Sequence, residues 1–572
     1  MIVLVAPSAD DRRTGGRHAL TSVAHGRLMV LLLLFAAGGL LILGRLGQLA
    51  IFSPPGEARL VSARFVPLRG DIVDRNGQPL AQTIDAWSIG VHPHKVIGDK
   101  RQLAQSLARI MPEHDARWYY HRLTLDAPFT YLARRALPET VDAVNALGEP
   151  GIAPGREPER LYPQSQLAAH VLGFVGADGH GLRGIERAFD KRLTDPARRA
   201  DPLTLSIDMR VQAAMQSRLG TAMETFGARA ASGIVMDIHT GEVIAMVSYP
   251  TFNPNDIRHA TADQLRNNVT QSVYELGSTF KPLTMAQAID TGTVTSMARR
   301  FDATKPLKVG AYYIHDDPGD EQERWLNIPE TLIYSSNIAT ARIADLLGEA
   351  KMKALFHKLR FDQEQPIELR ERAKPLWPSY WGRTTTMTTA YGHGIAVTPL
   401  HLATAYAAMV NGGILREPTL LRVPEGKERR GKRVFSAATS ARLCQLLRLV
   451  VLDGTGRKGR APGYRVGGKT GTAEMADAGG YARHRNVSTF AGVFPMDDPQ
   501  YVVMATLVAP KGTKETYGFT TAAWNAAPVV RETIQRAGPI LDVMPNEHRD
   551  IDVSDLTPLV LTASGEQVAQ AQ

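Results

Sequence analysis

A single cysteine, Cys444, stands among 572 residues, so no disulfide can close within the chain. A reducing compartment fits that count, but so does a large secreted domain whose core needs no covalent staple. Cys444 lies in an apolar run with Leu443, Leu446 and Leu447, which marks a buried structural thiol rather than a nucleophile. Long runs of one charge are also missing. The excess of 66 lysines and arginines over 57 acidic residues gives a net +9, but it is scattered through mixed-sign stretches with no aromatic-interleaved stripe. That pattern argues against nucleic acid and leaves attraction to anionic lipid or another polyanion as the reason for the excess. Internal repeats, metal-ligand clusters and nucleotide-binding loops are absent, so neither a metal nor another cofactor is expected. What remains is ordinary: 44% hydrophobic and 22% charged residues, in a chain too long for one core.

Leu28 to Gly44 is a run of 17 residues without a charge, at the short end of what spans hydrocarbon. Arg45 can snorkel to the interface, letting the span extend to Phe52. Arg12, Arg13, Arg17 and Arg27 precede it, and basic flanks favour the cytoplasmic side. A cleaved signal peptide shares the basic-then-apolar layout, but Gly47 to Ala50 makes a poor cleavage site. The reading is a cytoplasmic tail at 1–27, an uncleaved single-pass anchor at 28–52 in the inner membrane, and the rest of the chain in the periplasm.

Ser53-Pro54-Pro55-Gly56 reads as a linker. Residues 57–228 mix short strand-like runs with basic turns and carry no catalytic cluster. A hairpin follows, Gly233–Asp237 and Glu242–Ser248 through His239-Thr240-Gly241. Helical patterns occupy about 277 to 450, with loops near 301–326 and 363–382. Three strand-like runs, Tyr464–Glu474, Ser488–Phe494 and Tyr501–Val508, then close a domain spanning 229–540. Strands at both ends with helices between predict an α+β domain whose terminal segments share one antiparallel sheet flanked by helices. A polar, mobile tail is expected over 541–572.

Three short motifs carry chemistry. In Gly277-Ser278-Thr279-Phe280-Lys281, positions i and i+3 of a helix start put Ser278 and Lys281 on one face, where the dipole favours developing negative charge. A hydroxyl beside an amine is one way to build a nucleophile; an N-cap serine is the plainer alternative. Tyr334-Ser335-Ser336-Asn337 opens a helical pattern, and small polar residues there also simply bend or solvate a helix. Val466-Gly467-Gly468-Lys469-Thr470-Gly471-Thr472 lies on a strand. Its glycines admit a close backbone neighbour, and Thr470 and Thr472 share one side, placed to bind a carboxylate as a pair. Lys469 leaves from the other side, so its path to a common site is not given by strand geometry.

In order, serine-x-x-lysine, serine-x-asparagine and lysine-threonine-glycine form the motif set of penicillin-binding proteins and serine β-lactamases. Arg69-Gly70-Asp71, Arg160-x-Tyr162-Pro163, Ala169-His170-Val171-Leu172-Gly173, Gly184-Ile185-Glu186 and Tyr391-Gly392-His393-Gly394 also resemble class B penicillin-binding proteins, most closely the division-specific members. The resemblance implies an elongated pedestal over 57–228 and a penicillin-recognising transpeptidase domain over 229–540. It implies Ser278 as nucleophile, Lys281 as base with Lys469 as the cation that depresses it, and Ser335 as proton relay. Asn337 would bind the substrate amide and steady Lys281. Thr470, Gly471 and Thr472 would line the substrate site, and the N–H groups of Ser278 and Thr472 would form the oxyanion hole. Arg69, Asp71, Glu186 and His393 receive no chemistry. Expected partners are peptidoglycan stem peptides, β-lactams, an FtsW-type glycan polymerase and other septal membrane proteins. An elongation-specific transpeptidase, a β-lactam hydrolase or sensor, and a non-catalytic septal scaffold are the alternatives.

Overall fold

The computed structural model describes residues 29–44, 68–427, 429–477 and 480–560. Residues 29–44 form a helix that exposes Met29, Phe35, Leu40 and Leu43. Among the described residues no helix is long and apolar enough to cross a membrane. The tail at 1–27, both ends of the expected 28–52 anchor, the 53–56 linker and residues 561–572 lie outside the described residues.

The pedestal is built on one long strand, β2 (Pro79–Val91). It pairs antiparallel with β1 (Ile72–Val73), β3 (Thr130–Ala136) and β4 (Ile152–Leu161), and β1 pairs in parallel with β5 (Leu203–Thr204). Two helices lean on the β3 side. Each starts at an aspartate, Asp99 or Asp115, whose carboxylate accepts main-chain N–H bonds from the first turn. Their apolar faces enclose a small separate core of Ile89, Val91, Leu107, Tyr119, Leu123, Leu132 and Val141. The β1 end belongs elsewhere: Ile72, Leu80, Tyr162, Val171, Ile185 and Leu203 join the main core of the molecule. The charges beneath this junction are closed on themselves. Glu186 is fully buried and is held by Arg69 at 2.8 Å and Arg160 at 2.7 Å.

The second half holds a five-stranded antiparallel sheet. Its strands are β6 (Ala230–Asp237), β7 (Val243–Tyr249), β8 (Gly467–Asp477), β9 (Gly480–Phe494) and β10 (Tyr501–Val508), in the order β8-β9-β10-β6-β7. The ends of the domain therefore meet in one sheet, as the strand runs predict. The β6–β7 turn forms because the Asp237 carboxylate accepts N–H bonds from His239 and Thr240 at 2.7 and 2.8 Å.

On one face, α1 (Met209–Phe226) and α6 (Ala526–Ala537) bury Val211, Met215, Leu219, Val530 and Ile534 against the sheet. Helix α1 thus packs in the catalytic core although it lies within the 57–228 segment assigned to the pedestal. The opposite face carries α2 (Lys281–Asp290), α3 (Asn337–Lys358), α4 (Pro399–Val410) and α5 (Ala437–Asp453). All twelve residues of α4 are buried, as a helix apolar on every side must be.

The polar tail expected from 541 differs from what the structure shows up to 560. Leu556 and Val560 enter the main core, and Asp550 pairs with the buried Arg448 at 2.5 Å. A buried guanidinium requires that partner.

Candidate active site

The three motifs converge beside the edge strand β8. Ser278 lies in the 3-10 turn Gly277–Phe280 that leads into α2, with Pro282 in the first turn, where a missing N–H matters least. Two glycines let this turn seat. A Cβ on Gly471 of β8 would stand 2.3 Å from the Leu276 carbonyl oxygen, and one on Gly392 (φ +83°) would stand 2.2 Å from the Gly277 carbonyl oxygen. Neither approach is open to any other residue. The strand and the 391–394 loop therefore grip the nucleophile turn from two sides, and the Thr472 main chain runs alongside it. The Glu275 carboxylate secures that loop, pairing with His393 at 3.2 Å and accepting from Gly394 N–H at 2.9 Å. His393 is thus a packing residue.

Ser335 is the hub. It sits between two helices with φ +58°, a left-handed conformation rare for a non-glycine residue and characteristic of functional sites. Lys281 Nζ donates to the Ser335 hydroxyl at 3.1 Å and to the Ser335 carbonyl; Lys469 Nζ donates to the same hydroxyl at 2.9 Å. Both lone pairs of Oγ are then occupied, which leaves its hydrogen to give away. Although Lys469 departs from the face of β8 opposite Thr470, its stem curls back. Its Nζ meets the Thr470 carbonyl at 3.1 Å and Thr455 Oγ1 at 3.4 Å.

Both lysines are fully buried, and among the described residues neither has a carboxylate within ion-pair distance. Burial pushes the Lys281 amine down to about 8, against the pull of Asp317, Asp316 and Asp320. Burial and the charge of Lys281 push Lys469 well below the ordinary range. Two ammonium groups bridged by one hydroxyl titrate as a pair, so the first proton leaves more readily than from either alone.

The remaining expectations fare unevenly. The Ser278 hydroxyl has no hydrogen-bond partner among the described residues, and Lys281 reaches Ser335 in preference to it. No hydrogen bond joins Asn337 to Lys281 among the described residues. The Asn337 Nδ2 donates to the His315 carbonyl at 3.0 Å and to Asp317 Oδ1 at 3.3 Å, because the 315–320 loop lies over the start of α3. Thr470 Oγ1 bonds Thr455 Oγ1 at 2.9 Å, and Thr472 Oγ1 accepts Ala522 N–H at 3.2 Å. Both threonine hydroxyls line the same edge. Gly392, Thr455 and the 315–320 aspartates went unassigned in the sequence. Only the Gly454-Thr455-Gly456 and Asp316-Asp317-Pro318-Gly319-Asp320 turns hinted at them. Cys444 is buried and its thiol is pushed up to about 12 by burial, which leaves it inert. Among the described residues no group of three or more histidine, cysteine, aspartate or glutamate side chains is placed to hold a metal ion.

Comparison with known proteins identifies the family. Residues 231–533 match the family described as penicillin binding protein transpeptidase domain, and residues 64–195 match the penicillin-binding protein dimerisation domain. The probable peptidoglycan D,D-transpeptidase FtsI of Caulobacter vibrioides is 38% identical over 511 residues, covering 87% of this chain and 85% of that one. The peptidoglycan D,D-transpeptidase FtsI of Escherichia coli is 29% identical over 520 residues, covering 84% and 87%. Among solved structures, penicillin binding protein 3 of Mycobacterium tuberculosis, complexed with aztreonam, has a TM-score of 0.66 at 26% identity, covering 84% of this chain and 97% of that one. A peptidoglycan synthetase from Bifidobacterium adolescentis shares the fold, with a TM-score of 0.64 at 22% identity over 84% of this chain and 97% of that one.

Proposed function

The chain belongs to the penicillin-binding protein transpeptidase family, and from that premise we propose how its own residues cross-link peptidoglycan. It is a serine-type D,D-transpeptidase that acts on stem peptides and is acylated by β-lactams. The observation that carries the assignment of residues is the convergence of Lys281 and Lys469 on Ser335, beside the turn that bears Ser278.

Acylation begins with one of the two buried amines neutral. Burial brings the Lys281 amine down to about 8, so that it can shed its proton to solvent near neutral pH, with Lys469, pushed well below its ordinary range, bridged to it through the Ser335 hydroxyl. Neutral Lys281 accepts the Ser278 proton as Oγ bonds the carbonyl carbon between the terminal D-alanines. The oxyanion is met by the N–H groups of Ser278 and Thr472, a donor of this kind being worth about 3–4 kcal/mol. Thr470 and Thr472 hold the terminal carboxylate, with Gly471 letting the strand lie close. On collapse the C–N bond breaks, Ser335 passes its hydrogen to the departing amine, and Lys281 restores it. An amine from a neighbouring stem peptide then attacks the acyl-enzyme and releases Ser278.

The relatives named FtsI favour septal wall synthesis, with an FtsW-type polymerase and other septal membrane proteins as partners. The apolar, exposed 29–44 helix and the arginines before it support a single-pass inner-membrane anchor over 28–52, with the catalytic domain in the periplasm. Labelling with a fluorescent penicillin tests the nucleophile: wild type labels covalently and Ser278→Ala does not. Equal labelling of both would refute it.

A further inference from the structure

An acidic strap lies against the start of α3, beside the converging motifs. It follows a short hairpin, Leu307–Val309 with Tyr312–Ile314, and runs from His315 to Asp320. Asp316 is its anchor: buried, it accepts the Ser336 hydroxyl at 2.9 Å and Ile338 N–H at 3.0 Å, a carboxylate at the start of α3 where the helix dipole favours one. Asp317 has a different setting. The Asn337 amide nitrogen donates to Asp317 Oδ1 and to the His315 carbonyl, so the strap engages the amide expected to receive substrate.

The Asp317 charge also acts on groups from four directions. It reaches Lys281 at the start of α2, Lys469 on β8, Asp320 on the strap itself and Tyr391 in the opposite loop. Asp320, partly buried, lies in the same field, and Glu275, paired with His393, acts together with Asp317 on Tyr391.

The geometry points to a built-in competitor: Asp317 holds Asn337 and supplies a negative charge to the buried amines, and the stem peptide's amide and terminal carboxylate must displace it. This rests on the transpeptidase reading of the site and adds to it a restraint on acylation. Asp317 is a positioning residue, acting through Asn337 and Lys281. Removing its charge weakens the hold on the amide, which keeps the His315 carbonyl, lessens repulsion of the incoming carboxylate and destabilises the Lys281 ammonium, so the neutral base persists to lower pH.

The test is the second-order constant for acylation by a fluorescent penicillin, measured from pH 6 to 9 on the full chain for wild type, Asp317→Asn and Asp317→Ala. The isosteric asparagine guards against loss of fold in the alanine variant. Both variants are expected to acylate about three- to tenfold faster at pH 7, with the alkaline limb displaced downward by about half to one pH unit. A slower or unchanged rate in the asparagine variant, or a limb that stays in place, overturns the proposal. Wild-type protein that fails to label at Ser278 overturns the transpeptidase reading instead.

Discussion

Two sets of buried charges, one in the pedestal and one in the catalytic domain, are treated in opposite ways. Glu186 has no exposed surface, and each of its oxygens meets a guanidinium: Arg69 on one and Arg160 on the other, with the Tyr162 hydroxyl at 3.3 Å. Other guanidinium donors go to Asp190 and to the carbonyls of Gly70, Gly179 and Glu186, while Arg160 Nη2 is buried without a partner among the described residues. Lys281 and Lys469 are equally buried, yet what they share is a neutral hydroxyl. Compensated charge welds segments more than a hundred residues apart in the chain. Burial with no carboxylate in contact drives amines toward the neutral form that a base requires, against the weaker pull of the strap aspartates. The same ingredient yields a joint in one place and reactivity in the other.

The comparison breaks most visibly if the lysines are dispensable. Lys281→Ala is expected to slow acylation of Ser278 by about 10²- to 10⁴-fold while the protein still unfolds cooperatively, because a buried charge without a carboxylate is no source of stability. Stopped-flow acylation beside a thermal melt separates the two effects. Glu186→Ala should do the reverse, leaving the Arg160 guanidinium without a carboxylate and Arg69 with Asp190 alone, and lowering stability by about 3–5 kcal/mol, read from urea unfolding. Folded molecules of that variant should still label with penicillin; an unchanged unfolding midpoint would remove the joint from the comparison. Gly392→Ala sharpens it further. The added methyl meets the Gly277 carbonyl and displaces the nucleophile turn without touching a charge, and a shift of that size costs about 10²-fold in acylation. Wild-type kinetics in this variant would mean that the 391–394 loop does not set the turn.

Much of this was legible from pattern alone. The β6–β7 hairpin and strand β10 follow short, nearly continuous apolar runs bounded by turn residues, and Ser278 to Lys281 is a local relation within one turn. What escaped depended on distance. Strand alternation aims Lys469 away from Thr470, and only its flexible four-carbon stem, folded beneath the strand, brings its amine to Ser335. The capture of Asn337 by Asp317 joins residues twenty positions apart through a loop with no periodicity to read. Gly392 looks like any loop glycine until Gly277 is seen against it. Likewise the tail up to 560 reads as polar because its few apolar anchors, Leu556 and Val560, lie far apart, and because the partner of Asp550 is a buried arginine 102 residues earlier.

The pH dependence of Ser278 acylation bears most directly on the claim that burial, outweighing the pull of the strap aspartates, makes the base. In wild type the rate constant should rise about tenfold per unit below pH 8 and level off above it, since Lys281 must lose its proton to act and its midpoint lies at about 8. A rate constant that stays flat from pH 6 to 9, or that falls as the pH rises, would contradict it.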